Sequence, residues 1–543
     1  MVHTLRDRAL LLVLTGLVLA PVHGPLLADS LRFYPDLASA YPLHELAEPG
    51  LYEGDHFREM VLSFGFPPGY RWALWPFAQL LPLLLALKVM SVLMSAAVVQ
   101  LAFGFAPRVH GRWPVALAML ALVVVMDSMH GAYPRAWGMG FTVLLVLLLA
   151  QRRAVAAAVV AVVSILFYPM VFPVAAVALG GWILWRGLRE RGPWWELALV
   201  AALLLGGLGL ALWRSAVLAG LAGAPCTPAD CADAPELFAA GNYTFSAYRG
   251  RWLLNSLLNL GEHPPSYPWV LGLLLPVAVV QGILGWLRLH AATWLLLAGL
   301  GACAAIELLN HIVSLPTGYA SRALIFTLPV AAAAGWGLLV ARAAPPPGHP
   351  APWPRRLAWL ALCGTPIVPA LGTFDLGHVS DDHGRLAPAF EAIGALPADA
   401  VVGGHPVTVN PVPLLTARRV EIIAAAFNPW MQDWWREYKR RAHRALDTFY
   451  APSDDLVRQG CVQGGSTHLL VEPERFAPEH ATRPGELDWE PMASHIRDLA
   501  GRGPFALQRR APRGTVCLLD CSTLEGPCWR VFPLDPPPPS PMR

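Results

Sequence analysis

The chain has 543 residues, of which 55% are hydrophobic and only 14% charged, with a mean hydropathy of +0.46. Soluble domains carry about 25% charged residues, and the apolar residues here lie in long uninterrupted runs, so a large soluble enzyme is excluded. A net charge of +3 without any long basic block gives no electrostatic case for nucleic acid, which needs Lys and Arg clustered on one face.

A run of about 20 apolar residues crosses a bilayer core. Runs that meet this length are centred near Leu14, Val92, Leu122, Leu145, Val160, Ala178, Leu205, Leu275, Leu297, Ala332 and Leu362, which predicts about eleven transmembrane helices. The first run follows Arg6 and Arg8 like a secretory signal. The Leu26-Leu27-Ala28 site departs from a small-x-small cleavage pattern, so the reading is a retained start helix. Residues 155–185 are too long for one span and read as a hairpin broken at Tyr168-Pro169-Met170-Val171-Phe172-Pro173. Arginines at both ends of that hairpin, Arg152/Arg153 and Arg186 to Arg191, belong inside by the positive-inside rule.

Extended along the chain, that rule puts the N-terminus in the cytoplasm and leaves two long loops outside, 29–71 and 222–268. Shorter outer turns fall at 127–135, 168–173 and 307–322. The expected organisation is a membrane domain over 1–372 with its first outer loop at 29–71, then an extracytoplasmic domain over 373–543. The localisation expected is a bacterial-type cytoplasmic membrane, multi-pass.

Beyond residue 373 the pattern changes. Short strand-like runs at Ala400 to Gly404, Val420 to Ala424 and Thr467 to Glu472 flank a charged helical stretch, Met431 to Leu446, which predicts a small α/β domain. That stretch mixes Trp434, Trp435 and Tyr438 with Arg436, Lys439, Arg440 and Arg441. It suits a membrane interface or the first loop, and equally a solvated amphipathic helix. Cys226/Cys231 and Cys461/Cys517/Cys521/Cys528 form even sets in the outer segments, where disulfides are permitted. The Cys517-x3-Cys521-x6-Cys528 spacing also allows metal ligation, although no nearby His completes a usual zinc spacing.

The candidate chemistry concentrates in the first loop, dense in carboxylates and aromatics. A carboxylate at a helix end facing a membrane cavity can act as a general base or hold a divalent cation. Asp36 and Asp55 are the candidates, with Glu45 behind them; a solvated acidic surface is the competing reading. Ionisable residues at the membrane edge are costly and tend to line functional cavities. Lys88, Asp127, Arg135, Arg214, Glu307 and Arg322 are such residues here. Arg135 and Arg322 suit a phosphate, because a guanidinium stays charged and grips two oxygens; ion pairing to Asp127 and Glu307 is the alternative. His130 and His311 read as interfacial hydrogen-bonders. Lys88 reaches the outer surface only if its helix starts near Pro82 rather than Trp72. There is no P-loop, no H-E-x-x-H and no G-x-S-x-G.

The layout, with Pro-Arg-Ala-Trp at 134–137, Phe-Tyr-Pro at 167–169 and Gly-Tyr-Ala-Ser-Arg-Ala at 318–323, resembles the GT-C membrane glycosyltransferases. The resemblance covers the whole chain in layout but few residues in motif. It implies transfer of a sugar from a polyprenyl-phosphate donor to an acceptor outside the membrane, with membrane lipids as neighbours. It also implies a first-loop aspartate as catalyst, often with a divalent metal such as Mg2+ or Mn2+. Asp36, followed by Tyr41 and His44-Glu45-Leu46, matches the first-loop acid with its downstream aromatic; Asp55 is the rival. Leu37 stands where the commonest pattern has a second acid. Two other classes compete: a transporter or flippase for a lipid-linked or charged small molecule, which should show paired broken helices, and a non-catalytic assembly protein, whose first-loop carboxylates should face solvent.

Overall fold

The computed structural model describes residues 2–55, 57–105, 109–126, 129–131, 133–189, 193–224, 299, 301–302, 322–343, 352–372, 380–426, 431–481 and 492–531. The helices of the membrane part are α1 (Val2–Ala28), α2 (Arg58–Phe64), α3 (Pro68–Ala78), α4 (Leu83–Phe105), α5 (Val109–Val125), α6 (Pro134–Ala150), α7 (Ala154–Ser164), α8 (Val171–Arg189), α9 (Trp194–Ala222), α10 (Arg322–Ala343), α11 (Trp353–Gly364) and α12 (Ile367–Gly372).

Residues Ala118 to Met126 of α5 and its end are buried on every face, which places this helix at the centre of the bundle, packed by α4 and α10. On α9, by contrast, Leu205, Leu208, Leu212, Trp213 and Val217 are exposed, as expected of a peripheral helix facing lipid tails. Nine of the eleven expected span centres fall in helices; those at Leu275 and Leu297 lie outside the described residues. Among the described residues, three helices are long and apolar enough to cross a membrane: Leu5–Ala28, Leu83–Gly104 and Trp194–Ala222. The hairpin over 155–185 breaks between Ser164 and Val171, where Tyr168-Pro169 interrupts the backbone ladder, and α7 and α8 pack against each other.

The C-terminal region adds α13 (Ala387–Gly394), α14 (Pro406–Val409), α15 (Val412–Thr416), α16 (Gln432–Phe449), α17 (Asp454–Gly464), α18 (Met492–Ala500) and α19 (Ala506–Arg510). Its five-stranded mixed sheet comprises β3 (Val401–Gly404), β4 (Arg419–Val420), β5 (His468–Val471), β6 (Thr515–Asp520) and β7 (Cys528–Arg530) in the order β4-β3-β5-β6-β7. β3 pairs parallel with β4 and β5, while β6 runs antiparallel to both β5 and β7. The strand expected at Val420 to Ala424 is corrected to two residues. Glu421 turns its carboxylate inward to Arg444 and Ser466, and the chain enters a 3-10 turn at Ala424–Ala426. Cys461 is joined to Cys521 and Cys517 to Cys528; Cys226 and Cys231 lie outside the described residues.

The first loop is not a solvated tether. Its residues 35–46 form 3-10 helix, and β1 (Arg32–Phe33) pairs antiparallel with β2 (Asp381–Asp382) at the entrance to the C-terminal region. Phe33, Leu37, Tyr41, Leu43, Tyr52 and Phe57 share one continuous core with Leu414, Ile423, Trp434 and Tyr438. A second core fills the helix bundle.

Candidate functional site

The beginning of the loop meets membrane-helix cations and, through β1, the entrance to the C-terminal region, and its later part packs on the C-terminal region. At the beginning, α4 starts at Leu83, so Lys88 stands one turn from the helix end, and its Nζ donates to the Asp29 carbonyl at 2.6 Å. Arg135, on the first turn of α6, donates from Nη2 to the Tyr34 hydroxyl at 3.1 Å. Its guanidinium lies 5.9 Å from the Tyr34 ring centre and 5.3 Å from that of Tyr133. Gly131 permits this approach, because a Cβ there would sit 2.7 Å from the Tyr34 ring. Asp36 lies two residues beyond Tyr34, in the first turn of the 3-10 helix. Its side chain is outside the described set, as are those of Arg322, Asp127, Glu307 and His311.

In the later part the carboxylates face protein groups. Asp55 accepts from the Tyr41 hydroxyl at 2.5 Å and from the Phe57 backbone N–H at 3.0 Å, one bond to each oxygen. Tyr41 is fully buried; burial, then the Asp55 charge, pushes its pKa far above the phenol range, so it stays a donor. Glu45 is held by Arg58 at 2.6 Å and by the Tyr52 N–H at 2.9 Å. The His44 Nε2 lies 2.9 Å from the Leu414 carbonyl and must donate to it, while burial lowers the ring's pKa and keeps it neutral. The Tyr52 hydroxyl donates to the Pro413 carbonyl at 3.1 Å, and Arg419 donates to the Glu53 carbonyl.

Helix α16 rests on this loop. Phe57 lies 6.2 Å from Trp434 and 6.3 Å from Tyr438 between ring centres, and Arg441 covers the Phe57 ring at 5.2 Å. Sequence reasoning left that helix between membrane, loop and solvent; its aromatic stripe on the loop is the contact that forms. Arg71 and Arg214 form a second basic group at the α2–α3–α9 junction. The sequence signal for it was two arginines at membrane-helix edges, of which only Arg214 was singled out. His130 is buried, with Nε2 2.9 Å from the Val124 carbonyl. An open groove of about 1040 Å³ lies between α16, α17 and residues 499–505, and no sequence-predicted site residue lines it.

Among the described residues no three His, Cys, Asp or Glu side chains stand together. Both Asp55 oxygens are already bonded, and Glu45 is engaged by Arg58, so these groups do not fit a cation cage.

No family model and no curated protein matches the chain. Among solved structures, the apo oligosaccharyltransferase of Archaeoglobus fulgidus superposes with a TM-score of 0.54 at 10% identity, over 91% of this chain and 72% of that one. The same protein tethered to an acceptor peptide gives 0.50 at 10% identity, over 90% and 72%. ArnT of Cupriavidus metallidurans in the apo state gives 0.49 at 16% identity, over 86% and 93%. The chain, with three described helices long and apolar enough to cross a membrane, is similar in fold to the Archaeoglobus fulgidus oligosaccharyltransferase.

Proposed function

We propose that the protein is a GT-C-type glycosyltransferase that moves a sugar from a polyprenyl-phosphate donor to an acceptor at the outer face of the cytoplasmic membrane. The observation that carries this reading is the meeting of two membrane-edge cations, Lys88 and Arg135, with the first eight residues of the loop that holds Asp36. A lipid phosphate at the membrane edge needs a cation held at that depth, and a base must act within reach of it.

In this reading Arg135, aided by Lys88 and Arg322, holds the donor phosphate. Asp36 takes the proton of the acceptor hydroxyl as its oxygen attacks the anomeric carbon; the carbon–oxygen bond to phosphate breaks and polyprenyl phosphate leaves. Asp55 is assigned a supporting role, because its carboxylate is occupied by Tyr41 and Phe57. The inward-facing Glu45 and Asp55 weigh against a non-catalytic assembly protein. A transporter would show a second broken helix matching the one before Val171.

The test is release of polyprenyl phosphate by the full-length protein in proteoliposomes supplied with a panel of undecaprenyl-phosphate sugars and with a bacterial cell-envelope extract as the source of acceptor hydroxyls. With the consumed donor, Asp36→Asn lowers turnover about 10²–10⁴-fold, the usual share of a general base. If no donor is consumed, or if Asp36→Asn combined with Asp55→Asn leaves release unchanged, the proposal is wrong.

A further inference from the structure

Arg214 donates from Nη1 to the Ile165 carbonyl at 2.7 Å and from Nη2 to the Ser63 carbonyl at 3.0 Å, tying α9 to the ends of α7 and α2. The next carbonyl, Leu166, accepts the Gly69 N–H at 2.9 Å, which brings the start of α3 and with it Arg71 to the same turn. Gly69 is needed for that approach, since a Cβ there would meet the Phe167 ring and the Leu166 carbonyl oxygen at 2.7 and 2.8 Å.

Arg71 has no side-chain hydrogen bond or ion pair among the described residues, and its Nε is shut from water. Glu59, in the first turn of α2, is already bonded to Arg58. Two neighbouring guanidinia, one with a buried donor left over, are unfavourable without an anion; a buried unpaired donor in a native fold calls for a bound ion, water or ligand.

Depth identifies the anion. Arg214 lies twenty residues after Trp194 on α9, about 30 Å along the axis at 1.5 Å per residue, which is the thickness of the bilayer hydrocarbon. With Trp194 and Trp195 exposed at one interface, Arg214 reaches the other, at the level of the lipid phosphates. The flanking surface suits lipid: Trp72, Trp75 and Trp213 are 69%, 54% and 65% exposed. We propose that Arg71 and Arg214 bind the phosphate of an anionic glycerophospholipid, entering laterally, with these tryptophans along its glycerol and upper acyl region. The site is separate from Lys88 and Arg135, which are bonded to the first loop. Its lipid fastens α3 to the break between α7 and α8.

The experiment uses the full-length protein in detergent, reading thermal midpoint and lipid occupancy by native mass spectrometry. The probes are dioleoyl-phosphatidylglycerol, dioleoyl-phosphatidylcholine, undecaprenyl phosphate and inorganic phosphate. Phosphatidylglycerol is expected to raise the midpoint more than phosphatidylcholine does. Arg71→Gln, which gives up no protein hydrogen bond, should keep the lipid-free midpoint and bind phosphatidylglycerol about tenfold or more weakly. Arg214→Gln should weaken it as well. Unchanged phosphatidylglycerol affinity in Arg71→Gln overturns the proposal. So does equal binding of phosphatidylcholine, or an equal shift from inorganic phosphate. If Arg71→Gln loses only undecaprenyl phosphate, the pair serves the polyprenyl carrier and the phospholipid assignment is wrong. Sugar transfer is not read, so failure here leaves the proposed function untouched.

Discussion

The bond between Tyr41 and Asp55 separates a base from an anchor. Tyr41→Phe removes the hydroxyl that donates to the Asp55 carboxylate at 2.5 Å, and Asp55→Asn keeps an acceptor for the Phe57 N–H while losing the charge. A hydrogen bond to a charged group contributes about 1.5–3 kcal/mol. Asp55 is only partly buried, so water recovers some of this, and about 1.5 kcal/mol is expected for Tyr41→Phe and about 1 kcal/mol for Asp55→Asn. Because both act on one bond, the double variant should cost about as much as the worse single, a coupling of about 1 kcal/mol. The assay is hydrogen exchange of the 35–46 amides in the full chain, which reports local opening rather than global unfolding; 1.4 kcal/mol appears as about tenfold faster exchange. An anchor predicts that sugar transfer falls less than tenfold in all three variants. If Asp55→Asn lowers transfer more than about 100-fold while exchange over 35–46 stays unchanged, Asp55 is the base and the reasoning that its bonds occupy it fails.

The C-terminal region should weaken as pH falls. Burial lowers the His405 pKa to about 3, and although burial alone would raise that of Glu472, Arg475 and Arg385 outweigh it and hold it at about 2. Both groups bind fewer protons folded than unfolded, so stability is full above about pH 6.5, declines toward pH 3 as unfolded His405 protonates, and declines further from about 4.5 to 2 through Glu472. Exchange of the β3 and β5 amides against pH checks this, and a flat profile contradicts it. Reduction opens loops of 60 and 11 residues, which chain entropy values at about 4 and about 3 kcal/mol; proteolysis around β6 and β7 should accelerate in reductant and stay unchanged in its absence. Trp434→Ala removes a buried indole that packs on Phe57 and Phe64 and donates to the Ala426 carbonyl, at a cost of about 3–5 kcal/mol. Exchange over 57–64 should rise while β5 holds; a rise confined to the sheet would contradict the contact.

The membrane helices were legible because lipid demands a long apolar run, and that demand is one-dimensional. The hairpin before Val171 could be located from Pro169 and its flanking arginines for the same reason. The burial of the first loop was not legible. Its acids suggested solvent, yet Tyr41, Tyr52 and Phe57 carry the core, and the acids satisfy the polar ends of that core. Lys88 shows how one helix boundary decides a reading: a start at Leu83 rather than Trp72 puts it at the loop. β6 was overlooked because Val516 to Leu519 lies among cysteines that drew attention as a spacing motif, and the pairing of four cysteines has three solutions that spacing alone does not choose between. Arg71 does not stand out in the sequence because Arg214 lies 143 residues away, and the junction that brings their helices together is set by the backbone bond from Gly69 to Leu166.

The division of the first loop constrains where chemistry can occur. Between His44 and Phe57, the side chains of His44, Glu45, Tyr52 and Asp55 are engaged by Leu414, Arg58, Pro413 and Tyr41. A charge that is already hydrogen-bonded and packed must break those bonds before it can serve an incoming substrate, at about 1.5–3 kcal/mol for each bond to a charged group. The beginning of the loop receives Arg135 on the Tyr34 hydroxyl and Lys88 on the Asp29 carbonyl, while Arg32 pairs with the carboxylates of Asp29 and Asp382. The C-terminal region therefore holds the loop at two places, through β1–β2 pairing at Arg32–Phe33 and through the Trp434 face at Phe57.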